Sequence, residues 1–359
     1  MDTVTQIALG SAVAVAMMGR KVPVWQSALW GAAIGTAPDL DVVMDFGDAI
    51  LNMIRHRAET HSLAYLTIAA VAFAGLARLI HRRRGTFWRW AVAFWLVLMT
   101  HVGIDYATVY GTQLALPFTD HPFGQGNIYV IDPLYTLPLL IGLIACLASR
   151  THMRWAWNGL GLLVSSAYMA WTLIAQVHVT AVARASLPPG MKQGEINRED
   201  VGAGVIISEA GARDVTQLLV SPAPLNSILW RVIAVTPDHY YEGWYSLLDK
   251  TQTIEWAQFD RGAKLIRQHR DHPGVNRVAR FSHGFYRMHQ KGSDVFVTDI
   301  RMGFEPDYVF DFNLGPVDQN QQLDAARPSI RQGSRPEIEP ALRWLGRRIL
   351  GNPQRQPGG

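Results

Sequence analysis

The sequence predicts an α-helical integral membrane domain of about six apolar helices, the first two short, followed by a soluble α+β domain. Charge is the first observation behind this. Residues 1–179 hold 11 Lys and Arg and 9 Asp and Glu, whereas residues 180–359 hold 22 and 20. Length is the second: the first half contains apolar runs close to the ~20 residues that cross a bilayer. The third is a change of period, from long apolar runs to strand-like alternation in the second half. Together they exclude a single water-soluble globule.

Residues 4–18 and 24–37 are the first two runs. Both are rich in Gly and Ala and marginal for spanning, and their small residues predict a closely packed pair. A signal peptide is the rival for the first, but MDTVTQ carries an acid in place of a basic start and shows no convincing cleavage site. Residues 62–80, 132–149 and 155–176 are clear spans. Residues 88–106 make a fourth, with His101 and Asp105 near its end. Basic residues stay in the cytoplasm. Arg20 and Lys21, the group Arg78, Arg82, Arg83, Arg84 and Arg89, and the pair Arg150 and Arg154 fall on one face. Every acid of residues 1–179 falls on the other, against only Arg55 and Arg57. This predicts a multi-pass protein of a bacterial-type cytoplasmic (inner) membrane with an extracytoplasmic C-terminal domain.

Three regions follow: 1–179 as the membrane domain, 180–315 as the soluble α+β domain, and 316–359 as a poorly ordered tail with a short helix near 339–350. Residues 180–215 read as a linker. Residues 229–235, 240–248, 295–302 and 308–312 alternate as strands of an antiparallel sheet. An amphipathic helix is expected near 255–270. Trp230, Tyr240, Tyr241, Trp244 and Tyr245 read as sheet core. His239, His269, His272, His283 and His289 read as surface positions. A lone Cys146 excludes an intramolecular disulfide and a Cys-based zinc site. A net charge of +4 without a basic arm argues against nucleic-acid binding.

Chemistry belongs where ionisable groups gather at membrane depth, because they are costly there. Four clusters meet that description on the acidic face. Asp39 and Asp41 end the second run as a pair that can reach one cation, or as solvated acids at a helix stop. His56 and His61 lie five apart where the third run begins, able to bind metal or to titrate near headgroups. His101 and Asp105, at i and i+4, share one helix face; bonding between helices is the blander reading. Thr108, Gly111 and Thr112 continue this segment and suggest a turn packed closely below it. Asp132 precedes Pro133 and by itself is an N-cap. Taken together, three His and four Asp resemble the mixed shell of a mono- or dinuclear hydrolytic metal site. That mixture suits zinc or manganese.

MDTVTQIALGSAV, GRK, GTAPDLDVV, HRAETHS, HVGIDYATVYGTQLALPF and IDPLYTLPLL, in this order, resemble the YdjM-like inner-membrane metal-dependent hydrolase family. The likeness extends into the second half around PLNSILWRV and YYEGWYSLLD and covers most of the chain. It implies a multi-helix inner-membrane metal-dependent hydrolase. It carries Asp39, Asp41, His56, His61, His101, Asp105 and Asp132 over as metal-site residues. Many relatives place His where this chain has Gln6, a departure that argues against a ligand role for the N-terminal segment and leaves Gln6 able to hydrogen-bond a ligand.

The leading expectation is an enzyme that hydrolyses an ester or phosphoester at the outer membrane face. Asp105, His101 and His61 are its catalytic residues, a divalent metal its cofactor, and the soluble domain a cover for the site. Membrane lipids are the expected surroundings and a lipid-linked compound a candidate substrate. The alternative is a non-catalytic envelope scaffold stapled by a structural metal. An ion transporter is disfavoured because the cytoplasmic helix halves are too apolar.

Overall fold

The computed structural model describes residues 1–81, 86–187, 205–207 and 217–352. The basic run Arg82–Arg84 and most of the expected linker lie outside these residues. Chain contacts divide the protein into two compact units. One comprises Met1–Met44, Arg55–Ile174 and Pro224–Asn226; the other comprises Asp45–Ile54, Ala175–Ala223 and Ser227–Gly359.

The first unit is helical. Asp2 caps α1 (Thr3–Met18) by accepting from the Thr5 amide at 3.1 Å, and Gly19, at φ 54°, ends it. The helix α2 (Val24–Thr36) packs on α1 with no room for side chains between them. A Cβ at Gly10 would lie 2.4 Å from the Gly31 carbonyl oxygen, and one at Gly31 would lie 2.2 Å from that of Gly10. The small-residue pair expected from sequence is therefore present. At 16 and 13 residues these helices are about 24 and 20 Å long, short of the ~30 Å apolar layer.

Two long helices follow, α4 (Leu63–Ile80) and α5 (Phe87–Tyr106). In sequence α3 (Ala49–Arg55) comes between α2 and α4, and all of it but Arg55 belongs to the second unit. Buried Trp90, Phe94, Val97 and Leu98 of α5 pack with Leu66, Ala70 and Ala74 of α4 and with Ala14, Met18 and Ile34 of the first pair. The helix α6 (Pro133–Ala148) starts on a proline whose missing amide costs nothing at that position. It crosses α7 (Arg154–Ala185) where Gly142 and Gly161 bring the backbones together. Among the described residues, α4, α5 and α7 are long and apolar enough to cross a membrane. Three helices meet that measure, so the expected set of about six apolar helices is not confirmed. Residues 132–149, expected as a clear span, form a helix of only 16 residues.

The second unit holds two antiparallel sheets. The five-stranded sheet runs β1 (Val205–Ile207), β2 (Gln217–Pro222), β3 (Leu229–Val235), β4 (His239–Ser246), β5 (Trp256–Asp260). The four-stranded sheet runs β6 (Tyr286–Lys291), β7 (Asp294–Phe304), β8 (Asp307–Pro316), β9 (Ile330–Arg331). Every residue of β3 is buried because both its faces are covered. Trp230, Val232 and Ala234 pack on Ala175, Val179 and Val182 of α7. On the opposite face, Arg231 donates to the Ile300 carbonyl of β7 at 2.9 Å and pairs with Glu242 at 2.6 Å. Trp230, Tyr240, Trp244 and Tyr245 are buried as core, as expected.

Several expectations are corrected here. The third long helix does not stop at 176. It runs to Ala185 because its last turns gain the sheet as a packing partner, and the 179/180 boundary falls inside it. The helix expected over 255–270 is strand β5 followed by α8 (Ala263–His269). Gly262 between them sits at φ 76°, with the Met288 carbonyl 1.9 Å from where a Cβ would stand. A further helix, α9 (Pro273–Phe281), follows. His269 is buried, and His239, His272, His283 and His289 are half-buried, not surface positions. The tail beyond 316 is built into the domain through β9 and α10 (Ile338–Ile349), whose Trp344 and Leu345 join Leu229, Trp244 and Phe304 in one core.

Candidate metal centre

The helix α2 ends at Thr36 and the chain continues through a 3₁₀ turn, Pro38–Val43, with Pro38 at its start. At three residues per turn, Asp39 and Asp41 point roughly 240° apart. Asp39 therefore faces α5 while Asp41 faces the segment before α4. That segment reverses at Arg57, whose φ of 68° is left-handed, a conformation costing about 1–2 kcal/mol for a side chain with a Cβ. A second 3₁₀ turn, Glu59–His61, then delivers His61 to the interior. His101 and Asp105 meet it from one face of α5.

Four donor atoms converge. His61 Nε2 lies 3.2 Å from His101 Nε2, 3.2 Å from Asp105 Oδ2 and 3.3 Å from Asp39 Oδ1. His101 Nε2 lies 3.4 Å from Asp105 Oδ2 and 3.7 Å from Asp39 Oδ1. All four atoms fall within 4.8 Å of one another. Ligands of a tetrahedral zinc ion, each about 2.0–2.2 Å from the metal, are about 3.3–3.6 Å apart, so these separations fit a cation among them.

The hydrogen bonds make the same case. His101 Nδ1–H donates to the Gly35 carbonyl at 2.6 Å, one of the last carbonyls of α2, which have no intrahelical partner. Thr60 donates its hydroxyl proton to Asp41 Oδ2 at 2.6 Å and so accepts from His61 Nδ1–H at 2.9 Å. Both imidazoles thus spend their proton outward and aim an Nε2 lone pair inward, the arrangement that orients metal-ligating histidines. Asp105 Oδ2 is buried without a hydrogen-bond partner. Its other oxygen is held by Gln6 Nε2 at 3.2 Å, by Arg57 Nη2 at 3.2 Å and by the Met1 amine. Two lone pairs and two carboxylate oxygens facing one another repel unless a positive charge lies among them.

Electrostatics around the group agree. Burial opposes charging His61, but the adjoining Asp105 and Asp39 carboxylates outweigh it and raise its pKa. A proton and a metal ion compete for the same lone pair. Burial likewise opposes ionising Asp39, and the His61 hydrogen bond and the charge of His101 overcome it. For Asp41, burial is outweighed by hydrogen bonds from His56, Thr60 and the Arg57 amide, which lower its pKa to about 2.

Of the seven expected ligands the structure brings four together: Asp39, His61, His101 and Asp105. Asp41 and His56 stand one layer out. His56 Nδ1 bonds Asp41 Oδ1 at 2.7 Å, while Asp41 Oδ2 is 3.7 Å from His61 Nδ1. Asp132 is not brought to the group. Its carboxylate caps α6 through the Leu134 amide at 3.0 Å and accepts from the Tyr168 hydroxyl at 2.8 Å. Gln6 donates to Asp105, one of the four grouped side chains.

Residues 1–179 match the family described as YdjM inner membrane protein. This is a YdjM-family membrane protein. A relative of this YdjM-family chain, the uncharacterized protein YfhP of Bacillus subtilis (strain 168), is 28% identical over 141 residues. That stretch is 37% of this chain and 42% of the relative, so the match spans less than half of the relative's length. No solved structure matches the chain.

Sequence reasoning passed over two residues of the YdjM-family centre. Arg57 is buried, bonds Thr108 Oγ1 at 3.1 Å and stacks over Tyr110 at 4.9 Å while holding Asp105. Its signal was present: with Arg55 it is one of only two Lys or Arg on the face expected to be acidic. Ser62 or Thr60 reads from sequence as a helix cap; Ser62 takes that position, and only the fold shows Thr60 bridging His61 to Asp41.

Proposed function

We propose that the chain is a membrane-bound metal-dependent hydrolase of an ester or phosphoester, working at the outer face of the cytoplasmic membrane with its C-terminal domain extracytoplasmic. The supporting observation is the pair of Nε2 lone pairs and two carboxylate oxygens within 4.8 Å. Zinc suits the near-tetrahedral separations better than manganese. A bound divalent cation supplies Lewis acidity to the scissile group and makes hydroxide available near neutral pH.

The protein's own residues divide the remaining work. His61, His101 and Asp105 are nearly fully buried and would hold the cation, while Asp39, with a side chain 20% exposed, would mark the side a substrate reaches. His56 gives its Nδ1 proton to Asp41 and keeps Nε2 to take up or return a proton, its side chain 26% exposed. Lipid-linked esters are the first substrate class to test, since the site lies beside a spanning helix.

Elemental analysis of protein purified without added metal tests the reading, beside His101→Ala and Asp105→Ala. One equivalent of zinc or manganese, lost in both variants, is expected. No metal in folded protein, even after reconstitution, overturns it. Metal-dependent turnover is then sought with phospholipid, polyprenyl-phosphate and simple esters. Reporter fusions after residues 85 and 185 are expected to report inside and outside, respectively.

One observation favours a second reading, a structural metal in a non-catalytic envelope scaffold: four protein donors can close a zinc shell. Asp39→Asn separates the two. Catalysis predicts lost turnover in a folded protein, and a staple predicts lost stability.

A further inference from the structure

The turn that carries Asp39 and Asp41 is acidic only on its inner side. Its outward side chains are aliphatic and bare: Leu40 is 64% exposed, Val42 71%, Val43 80% and Met44 55%. Single exposed apolar residues are ordinary, but a contiguous run of them beside a functional group marks a contact surface. A second bare side chain stands near. Phe118 is 87% exposed, in a loop whose Leu116 carbonyl accepts from Ser62 Oγ at 2.6 Å, directly after His61.

Their depth follows from bonds already described. Asp41 accepts from the Arg57 amide at 3.0 Å and from Thr60 at 2.6 Å, which ties the 38–43 turn to the segment that opens α4. That helix begins at Leu63, two residues after His61, and its 18 residues rise about 27 Å, close to the thickness of the apolar layer. Its first turn already exposes Leu63 and Tyr65. The bare aliphatic turn and Phe118 therefore sit level with the end of a spanning helix, where water gives way to acyl chains.

We infer that Leu40, Val42, Val43 and Met44, with Phe118, insert among the lipid acyl chains, so that the metal group is reached sideways from the bilayer and takes an amphiphile whose polar head meets Asp39. The amphiphile rests on the hydrolase reading; the insertion does not. Here the only polar side chains between Pro38 and Met44 are the two aspartates, and both turn inward onto His61, His56 and Thr60.

The test uses the full chain in nanodiscs of phosphatidylethanolamine and phosphatidylglycerol, with Cys146→Ala removing the native thiol. Single cysteines replace Val43 or Phe118 and carry bimane. Ile68→Cys, on the exposed face of α4, serves as the lipid control, and Gln252→Cys as the aqueous one. Spin-labelled lipid is expected to quench Val43→Cys and Phe118→Cys as strongly as Ile68→Cys, and iodide to quench them at least fivefold less than Gln252→Cys. Iodide quenching equal to the aqueous control overturns the inference. Protection from both quenchers overturns it as well, by showing that protein covers the turn. Metal content is measured on the same samples. Lipid quenching without bound metal leaves the insertion standing and removes the hydrolase reading and the amphiphile with it.

Discussion

Thr60→Val removes a hydroxyl and leaves the side-chain shape nearly unchanged, so it isolates what the bridge between His61 and Asp41 does. Two bonds are lost, from His61 Nδ1 at 2.9 Å and to Asp41 Oδ2 at 2.6 Å. Asp41 Oδ2 keeps the Arg57 amide at 3.0 Å, whereas for His61 Nδ1–H Asp41 Oδ2 stands at 3.7 Å, beyond hydrogen-bond reach. A buried donor left unpaired costs about 1–3 kcal/mol, a factor of roughly 5–150. Without a cation the ring can turn to find a partner, and with one it cannot, so the cost falls on metal affinity. Outer partners of metal-bound histidines typically contribute ~10–100-fold, and the same range is expected here. Competition with a chromophoric chelator on nanodisc-embedded protein measures it. Thr67→Val is the control; it removes bonds to the Leu63 carbonyl at 2.7 Å and from Trp95 Nε1 at 3.1 Å, away from the site. An affinity for Thr60→Val within threefold of the parent, with unchanged thermal stability, would refute the assignment of His61 as an Nε2 ligand.

Gly31→Ala places a methyl 2.2 Å from the Gly10 carbonyl and should lower the thermal midpoint in detergent, at an overpacking cost of about 1–3 kcal/mol or more. Gly75→Ala, with nothing within 4 Å, should leave it unchanged or raise it; equal effects would contradict the close α1–α2 contact. In the second unit, Glu242→Leu strands the buried Arg231 guanidinium and should cost about 3–5 kcal/mol. Adding Arg231→Met should recover part of this, read as hydrogen-exchange protection of β3. Trp344→Ala empties a packed site under α10 and should cost about 3–5 kcal/mol. An unaffected domain stability would show that α10 is not part of its core.

Much of the centre is visible before folding. His101 and Asp105 share a helix face by simple periodicity, and both reach the group. Asp39 and Asp41 are distinguished only by the 3₁₀ turn, since an α-helical or extended path would aim them differently. Asp132 looked equivalent to them, yet a carboxylate ahead of a helix-initiating proline is satisfied locally by the Leu134 amide and then by Tyr168. Arg57 escaped notice because its left-handed backbone turns a side chain expected at the surface inward.

By itself the sequence determined the helical first half, the β-rich second half and the residue types of the centre. Apolar run length, charge density and two-residue alternation are local properties that burial acts on directly. Tertiary structure decided which four of seven side chains share one point, which hydrogen bonds aim each imidazole, and that the last third of α7 continues onto a sheet. Those outcomes depend on side chains far apart in the chain. His101 is aimed by the carbonyl of Gly35, on a helix that Gly10, Gly31 and Gly35 let touch α1, and no window along the sequence contains that geometry.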